Sequence, residues 1–186
     1  MENFNKRLTV KFFAIVLTLS MIWGPYAFAD DIGVVSYVDG RVDILRMGGD
    51  TAIPAREGDT LATGDALRTK SNAKAEVAFK DKSVLRLAQN TKIGVKDYSV
   101  DENGRRKAAD IELERGKIRA VIAKMPSPAD FIISTPNAKG TVKGSDIFAF
   151  YQSGNSGMLV AEGKLSVFNT AHPETVITAP TGTSVL

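Results

Sequence analysis

Histidine and cysteine are the side chains that would most directly support metal or nucleophile chemistry, and this chain has almost none of them. It contains one histidine, His172 in an Ala-His-Pro loop near the C-terminus, and no cysteine. A transition-metal site needs several such ligands, and a nucleophile needs a neighbouring base. We therefore predict no catalytic residue, no metal site and no cofactor site, and we interpret His172 as a loop residue.

Three short motifs resemble chemical sites but lack essential parts. Ser156 lies between two glycines without the G-x-S-x-G spacing of a nucleophilic serine. Asp101 and Asn103 begin like a calcium loop, but the closing glutamate is missing. Residues 140–145 are rich in glycine, yet no G-K-[S/T] and no helix follow. Turns and close backbone passages are the simpler interpretation of all three.

Charged side chains offer two further candidates. Arg105, Arg106 and Lys107 form a basic cluster between acidic residues, which indicates a solvated loop rather than an anion site. Glu112 and Glu114 are two residues apart on the polar face of a predicted strand, without an apolar pocket to raise either pKa for glycoside hydrolysis. We therefore predict that the protein is not an enzyme.

Residues 1–29 have the pattern of a secretory signal peptide. A basic start precedes an apolar run at residues 12–22, and Ala27-Phe28-Ala29 has the small-x-small form of a cleavage site. Gly24 and Pro25 interrupt the run before the ~20 residues that a membrane-spanning helix needs. We predict cleavage after Ala29 and a periplasmic or secreted product without a stable membrane span; retention as an anchor is the alternative.

Residues 30–186 are expected to form one domain. The formal net charge of +3 falls to +1 without the leader, and the only tryptophan, Trp23, lies in that leader. A nearly neutral chain gives no reason to expect nucleic acid as a partner, because phosphate binding needs clustered positive charge. The missing tryptophan also removes the best aromatic platform for a sugar.

Apolar residues alternate with polar ones in short runs, which predicts β-strands with one buried face. Residues 75–79 and 85–87 flank Asp81-Lys82 as a hairpin, and residues 111–114, 131–135 and 165–167 alternate similarly. Residues 117–124 fit a helix or a strand equally well. We predict an all-β fold, either a wound, solenoid-like sheet of short antiparallel and stacked strands or a β-sandwich.

A charged residue, a glycine and a cation precede an alternating strand at three places. These units begin at Asp39, Arg115 and Glu162. Their spacing is unequal, so they are not a repeat of constant period. They indicate either one turn reused at several strand entries or a common way to start strands.

Five segments in order resemble the FecR-like domain, named for the ferric citrate regulator of Gram-negative bacteria. Residues 58–69 resemble its G-D-x-L-x-T opening, and residues 79–91 its F-x-D-G-S-x-L-x-L-x-x-N-T hairpin. Residues 113–118 resemble L-x-x-G-x-V, residues 131–145 F-x-V-x-T-P-x-A-x-x-x-V-x-G-T, and residues 160–167 V-x-E-G-x-V-x-V. Lys82 replaces the common turn glycine, and Ser145-Asp146 replaces the usual threonine and apolar-leaning segment.

The resemblance implies a periplasmic all-β domain that acts by binding another protein. The family's transport regulators also have a cytoplasmic segment that binds a sigma factor and a membrane helix, and neither is expected here, so that regulatory activity is not carried over. We predict an exported binding or scaffolding module for an envelope protein, with envelope glycan as the alternative partner.

The C-terminal region is the predicted binding surface. We expect an open sheet edge at residues 176–185, or the adjoining face with Phe148, Phe150 and Tyr151, to accept an extended segment by strand addition. The alternative is that the N-terminal strand at residues 34–38 covers this edge.

Overall fold

A computed structural model describes residues 31–47, 49, 51–126 and 129–186. These residues form sixteen strands and no helix, which confirms the all-β prediction. The predicted signal peptide lies outside the described residues. None of the described segments forms a helix of the length and apolarity needed to cross a bilayer. The strands are β1 (Asp31–Asp39), β2 (Val42–Leu45), β3 (Ala52–Pro54), β4 (Thr60–Ala62), β5 (Ala66–Thr69), β6 (Lys74–Phe79), β7 (Val84–Leu87), β8 (Lys92–Val100), β9 (Arg106–Val121), β10 (Phe131–Ser134), β11 (Ala138–Val142), β12 (Asp146–Gln152), β13 (Asn155–Glu162), β14 (Lys164–Asn169), β15 (His172–Pro180) and β16 (Ser184–Val185).

The strands form two layers that share β9. Sheet A has the order β4-β1-β6-β7-β9-β12-β13-β16, and sheet B has the order β3-β2-β5-β8-β9-β10-β11-β14-β15. Residues 106–115 of β9 pair within sheet B, and residues 116–121 pair within sheet A. All pairs are antiparallel except β9 with β10. The result is one continuous, unclosed sheet folded onto itself.

Aromatic rings from the two layers meet in the core. Phe79 of sheet A stacks on Tyr98 of sheet B at 5.1 Å between ring centroids, and contacts Phe131 edge-on at 6.1 Å. The alternation read from the sequence places alternate residues of most strands in this shared core, whereas the edge strand β3 is exposed at all three positions. Two sheets packed face to face are the sandwich that the sequence allowed as an alternative.

The recurrent glycine-cation units lie at three of the places where the chain passes between the sheets. Gly40 joins β1 to β2, Gly116 lies inside β9, and Gly163 joins β13 to β14, all at positive φ of 73°, 96° and 97°. At Gly116 a Cβ would lie 2.3 Å from the Thr91 hydroxyl oxygen, so no side chain fits without movement. A glycine at positive φ is therefore used at all three crossings, in two turns and in one bend within a strand. Residues 117–121, which also fitted a helix, continue β9 instead.

A buried ion pair ties the β6–β7 turn of sheet A to the start of β9 in sheet B. Arg106 bonds to Asp81 through a very short contact, and both side chains are 0% exposed. Asp81 also accepts hydrogen bonds from the backbone and hydroxyl of Ser83 at 2.9 Å, while Arg106 Nε donates to the Ala129 carbonyl at 3.1 Å. The Arg106 guanidinium lies 5.4 Å from the Phe131 ring centroid. This network closes one end of the sandwich.

Candidate functional site

Strand β15 leaves one edge of sheet B open within the described part of the chain. It pairs with β14 on one side only. Its nine residues contrast with the three of β3 at the opposite edge. Val176 and Ile177 are 58% and 49% exposed, so the strand carries apolar surface as well as an unpaired backbone. Such an edge is a template for pairing with another strand.

The phase of the hydrogen-bond ladder follows from one contact. The Thr170 N–H donates to the Asn137 carbonyl at 3.1 Å, which makes these two residues a hydrogen-bonded pair between β11 and β14. Bonding direction alternates along an antiparallel strand. Val167 therefore directs its backbone groups toward β15, where it pairs with Ile177.

The next residues along β15 consequently point away from β14. The N–H and C=O groups of Val176 and Thr178 are directed to the open side of the strand. Pro180 has the same phase, and a residue without an N–H is tolerated there because no ladder bond is lost. The open edge therefore offers two donors and two acceptors, from Val176 and Thr178, to an added strand.

An apolar groove of about 360 Å³ runs beside this edge, between β15 and β16. Val167 and Ile177 form its wall on the inner face of sheet B, and Met158 and Val185, which pair with each other, form its wall on sheet A. The groove is thus a part of the space between the sheets that reaches the surface. Its polar rim is formed by Asn137, Ser156, Asn169, His172 and Thr175.

A hydrogen-bonded cluster fixes one rim of the groove. Ser156 Oγ lies 2.7 Å from Thr135 Oγ1 and makes a very short bond to Asn137 Oδ1. Asn137 Nδ2 donates to the Gly154 carbonyl at 3.0 Å, which joins the β12–β13 turn to the loop before β11. Neither Thr135 nor Asn137 is a base, so nothing in this cluster activates Ser156 as a nucleophile.

His172 lies at the mouth of the groove with its side chain 73% exposed, and its Nδ1 is 3.4 Å from Glu174 Oε1. No group of three or more His, Cys, Asp or Glu residues able to hold a metal occurs among the described residues. Within the described ranges, Glu174 is the acidic side chain that pairs with the histidine.

The other candidate motifs lie at turns and on a paired face. Asp101 accepts the N–H groups of Asn103 and Arg105 at 2.9 Å, and these bonds, chiefly that from Arg105, lower the pKa of its carboxyl. Glu112 and Glu114 face outward from sheet B and pair with lysines at 3.0 and 2.7 Å. Residues 140–145 form part of β11 and its passage into sheet A.

The basic cluster at residues 105–107 does not act as one unit. Arg105 pairs with Asp101 on the surface, whereas Arg106 is buried against Asp81. The interpretation of all three residues as a solvated loop is therefore wrong for Arg106. The burial of Arg106 was not predicted from the sequence, because a charged residue stands at a core position of the alternating pattern at the start of β9.

The predicted aromatic face is split between the two sides of β12. Phe148 and Phe150 point outward, with Phe148 42% exposed and 5.2 Å from the Arg119 guanidinium carbon. Tyr151 has the opposite orientation and packs partly against the core. This region carries apolar surface on sheet A, but it is not a strand edge.

Two expectations about the C-terminal edge need correction. Residues 34–38 belong to β1, which lies between β4 and β6 at the far side of sheet A and does not cover this edge. Residues 176–185 are not one strand, because β15 ends at Pro180 and β16 joins sheet A beside β13. The positive φ of 81° at Gly182 allows this change of sheet.

Comparisons with known proteins agree with this architecture. The family model described as FecR protein matches residues 65–166. No curated protein matches the chain. Two crystal structures, at 1.65 and 2.50 Å resolution, of a candidate anti-sigma factor from Parabacteroides distasonis ATCC 8503 each align with a TM-score of 0.53 and 18% identity. The alignments cover 64% of this chain and 52% of those chains, so this chain spans about half of their length. At this identity the likeness shows the fold alone.

Proposed function

The chain belongs to the FecR family, and from this premise we propose that it is an exported, non-enzymatic module that binds an envelope protein. The family relation supports a protein-interaction role at the coarse level. The finer proposal is that an extended segment of the partner adds to the open edge of β15. Residues 30–186 would be the mature binding domain.

The observation that carries this proposal is the outward direction of the Val176 and Thr178 backbone groups. Unpaired strand groups recruit another strand, because each added ladder bond replaces a bond to water while apolar side chains are buried alongside. Residues 175–179 contain no charge, although charged side chains are a common protection of an open edge.

The groove specifies what the added strand should contain. A strand beside β15 in sheet B would direct every second side chain into the space between the sheets. That space is lined by Met158, Val167, Ile177 and Val185. The partner segment should therefore alternate apolar and polar residues and carry no charge at its inward positions, since burial of an unpaired charge is costly.

Envelope glycan remains the alternative partner class. The groove offers the side-chain amides of Asn137 and Asn169, but Phe168 is the only aromatic residue of its lining. Sugar sites generally stack the ring on an aromatic face, so the groove suits an apolar side chain better. No observation favours an enzyme over a binding module.

The proposed location is the periplasm or the cell surface of a Gram-negative bacterium. The signal-peptide pattern of residues 1–29 and the family resemblance support export. The absence of cysteine leaves stability to packing and to the backbone ladder, whatever the redox state of the compartment.

Hydrogen exchange at single amides tests the docking of a strand. In the isolated protein the Val176 and Thr178 amides should exchange fast, whereas the Ile177 amide, which is bonded to β14, should be protected. Addition of a detergent-free envelope extract should protect Val176 and Thr178. Strong protection of both amides before any addition would refute an open edge.

Proline substitutions supply the matched control. Thr178→Pro removes an outward N–H that β14 does not use, so it should abolish the protection by extract while the fold is retained. Ile177→Pro removes a ladder bond to β14 and should destabilise the strand itself. Undiminished binding by a folded Thr178→Pro protein would contradict strand addition at this edge.

A further inference from the structure

A second cleft, of about 620 Å³, lies where β9 passes from sheet B to sheet A. It is bordered by the β7–β8 turn, by the bend at Gly116 and by the β12–β13 turn. We call it the cationic cleft. The lining residues that matter for binding are Gln89, Asn90, Arg115, Gly116 and Lys117.

The charges of this lining have one sign. Arg115 and Lys117 are both exposed and make no ion pair within the described residues, and the lining contains no Asp or Glu. Glu114 precedes Arg115 along β9, but its carboxylate is held by Lys92 Nζ at 2.7 Å. Two positive charges therefore remain uncompensated at one opening, in a protein that pairs many of its other cations.

Two of the three amide side chains of the cleft, those of Gln89 and Asn90, are left as donors. The Gln89 side-chain oxygen accepts the Asn72 N–H at 3.0 Å, and the Asn90 side-chain oxygen accepts the Ser71 hydroxyl at 3.2 Å. Because both oxygens are engaged within the protein, the two NH₂ groups are the unengaged polar ends of these side chains. Both cationic side chains are donors as well, so donors predominate in the lining.

The backbone from which the two cationic side chains extend is fixed by contacts with Thr91 and Ala88. The Lys117 N–H donates to Thr91 Oγ1 at 3.1 Å, and the Lys117 carbonyl accepts from that hydroxyl at 3.2 Å and from the Ala88 N–H at 3.0 Å. Gly116 between the cations packs against Thr91 too closely for any side chain. The backbone positions of both cations are therefore set by the fold before a ligand arrives, whereas their exposed side chains must still be ordered on binding.

We propose that the cationic cleft binds an oxyanion, a phosphate or carboxylate group carried by a ligand of about sugar size. Guanidinium and ammonium groups donate charge-assisted hydrogen bonds to such oxygens, and neutral amides complete their coordination. The volume lies within the range of ~300–1,000 Å³ that is typical of small-molecule sites. The cleft is distinct from the β15 edge, so one activity can fail without the other.

Calorimetry and amide-resolved NMR on the purified protein test this site with inorganic phosphate, glucuronate and neutral glucose. Phosphate and glucuronate should bind and shift the side-chain NH₂ signals of Gln89 and Asn90, whereas glucose should not. Tighter binding of glucuronate would indicate a sugar-borne carboxylate, and tighter binding of phosphate would indicate a free or ester phosphate. Absence of binding by both anions at low salt would overturn the proposal.

Charge variants distinguish a specific anion site in the cleft from attraction by the positive charge of the whole protein. Arg115→Gln with Lys117→Gln should lower anion affinity about tenfold or more, because charge-assisted bonds are lost. The control, Arg105→Gln with Lys107→Gln, removes two exposed cations elsewhere and should leave affinity within about twofold. Arg115→Lys with Lys117→Arg keeps both positive charges, so it should retain most of the anion affinity and serves as a control for folding of the substituted protein. Equal losses in the first two variants would overturn the site.

Discussion

Arg106 and Arg115 lie nine positions apart on β9, and the protein uses them in opposite ways. Arg106 is sealed from water at the closed end of the sandwich, bonded to Asp81 and packed against Phe131. Arg115 is exposed at the other end, beside an open cleft and without a carboxylate partner in the described residues. The first arginine joins the two sheets, whereas the second is available to a ligand.

This difference shows which charges belong to the fold. A buried charge that loses its partner is strongly destabilising, so the Asp81–Arg106 pair must persist whatever the protein binds. An exposed, unpaired cation adds little to stability and can be removed at small cost. Mutations at the closed end should therefore lower the free energy of unfolding. Mutations at the open end should lower ligand affinity instead.

The largest expected effect is at the closed end. Arg106→Met leaves the Asp81 carboxylate buried without its cation and should destabilise the protein by about 3–5 kcal/mol. Urea unfolding measures this loss. The double variant Asp81→Leu with Arg106→Met removes both charges and should recover much of it, because no buried charge is left unpaired. A single variant with near-wild-type stability would mean that the pair contributes nothing to the fold.

The next largest effect is expected at Gly116, where β9 bends from sheet B into sheet A. Gly116→Ala combines a positive φ of 96° with a Cβ 2.6 Å from Thr91 Cα. We expect a loss of at least about 2 kcal/mol, since such strain alone costs about 1–3 kcal/mol. Gly154→Ala has a similar φ of 83° but no atom within 4 Å, and it should lose only about 1–2 kcal/mol. Equal melting temperatures for both variants would exclude the Thr91 contact as a cause.

Local patterns in the sequence determined most of the strands. Alternation at residues 75–79 and 85–87 predicted the hairpin of β6 and β7, whereas the glycine-cation units left open whether one turn is reused or strands simply start alike. The pairing of β9 with strands of both sheets was not predicted, because strand neighbours depend on contacts between distant residues. For the same reason, residues 34–38 were wrongly considered as a cover for the C-terminal edge, because their pattern fits any strand with one buried face.

The site was less accessible to sequence reasoning than the fold. From the sequence we expected an open edge at residues 176–185, but the outward direction of the Val176 and Thr178 N–H groups depends on the ladder phase. Arg106 and Arg115 look alike in sequence, and only the burial of one beside Asp81 separates their roles. The sequence shows which side chains are charged, but only the fold shows which of them have a partner of opposite charge.

The smallest expected effect is at a partly exposed ion pair, where burial is intermediate between the two arginines. Arg119 donates to both carboxylate oxygens of Asp146 at 3.0 and 2.6 Å, and this bonding holds the pKa of Asp146 below its ordinary value of 3.8. Because the folded-state pKa is lowered, the stabilisation is present above the unfolded pKa and is lost as the pH falls through the lower, folded value. Asp146→Asn should therefore reduce stability by about 0.5–1 kcal/mol at neutral pH and have little effect in acid well below 3.8.

Glu162→Gln, which breaks the more exposed Lys124–Glu162 pair, should change stability less at neutral pH. Urea unfolding across the acid range measures both variants, and a pH-independent loss in Asp146→Asn would assign the effect to packing rather than charge.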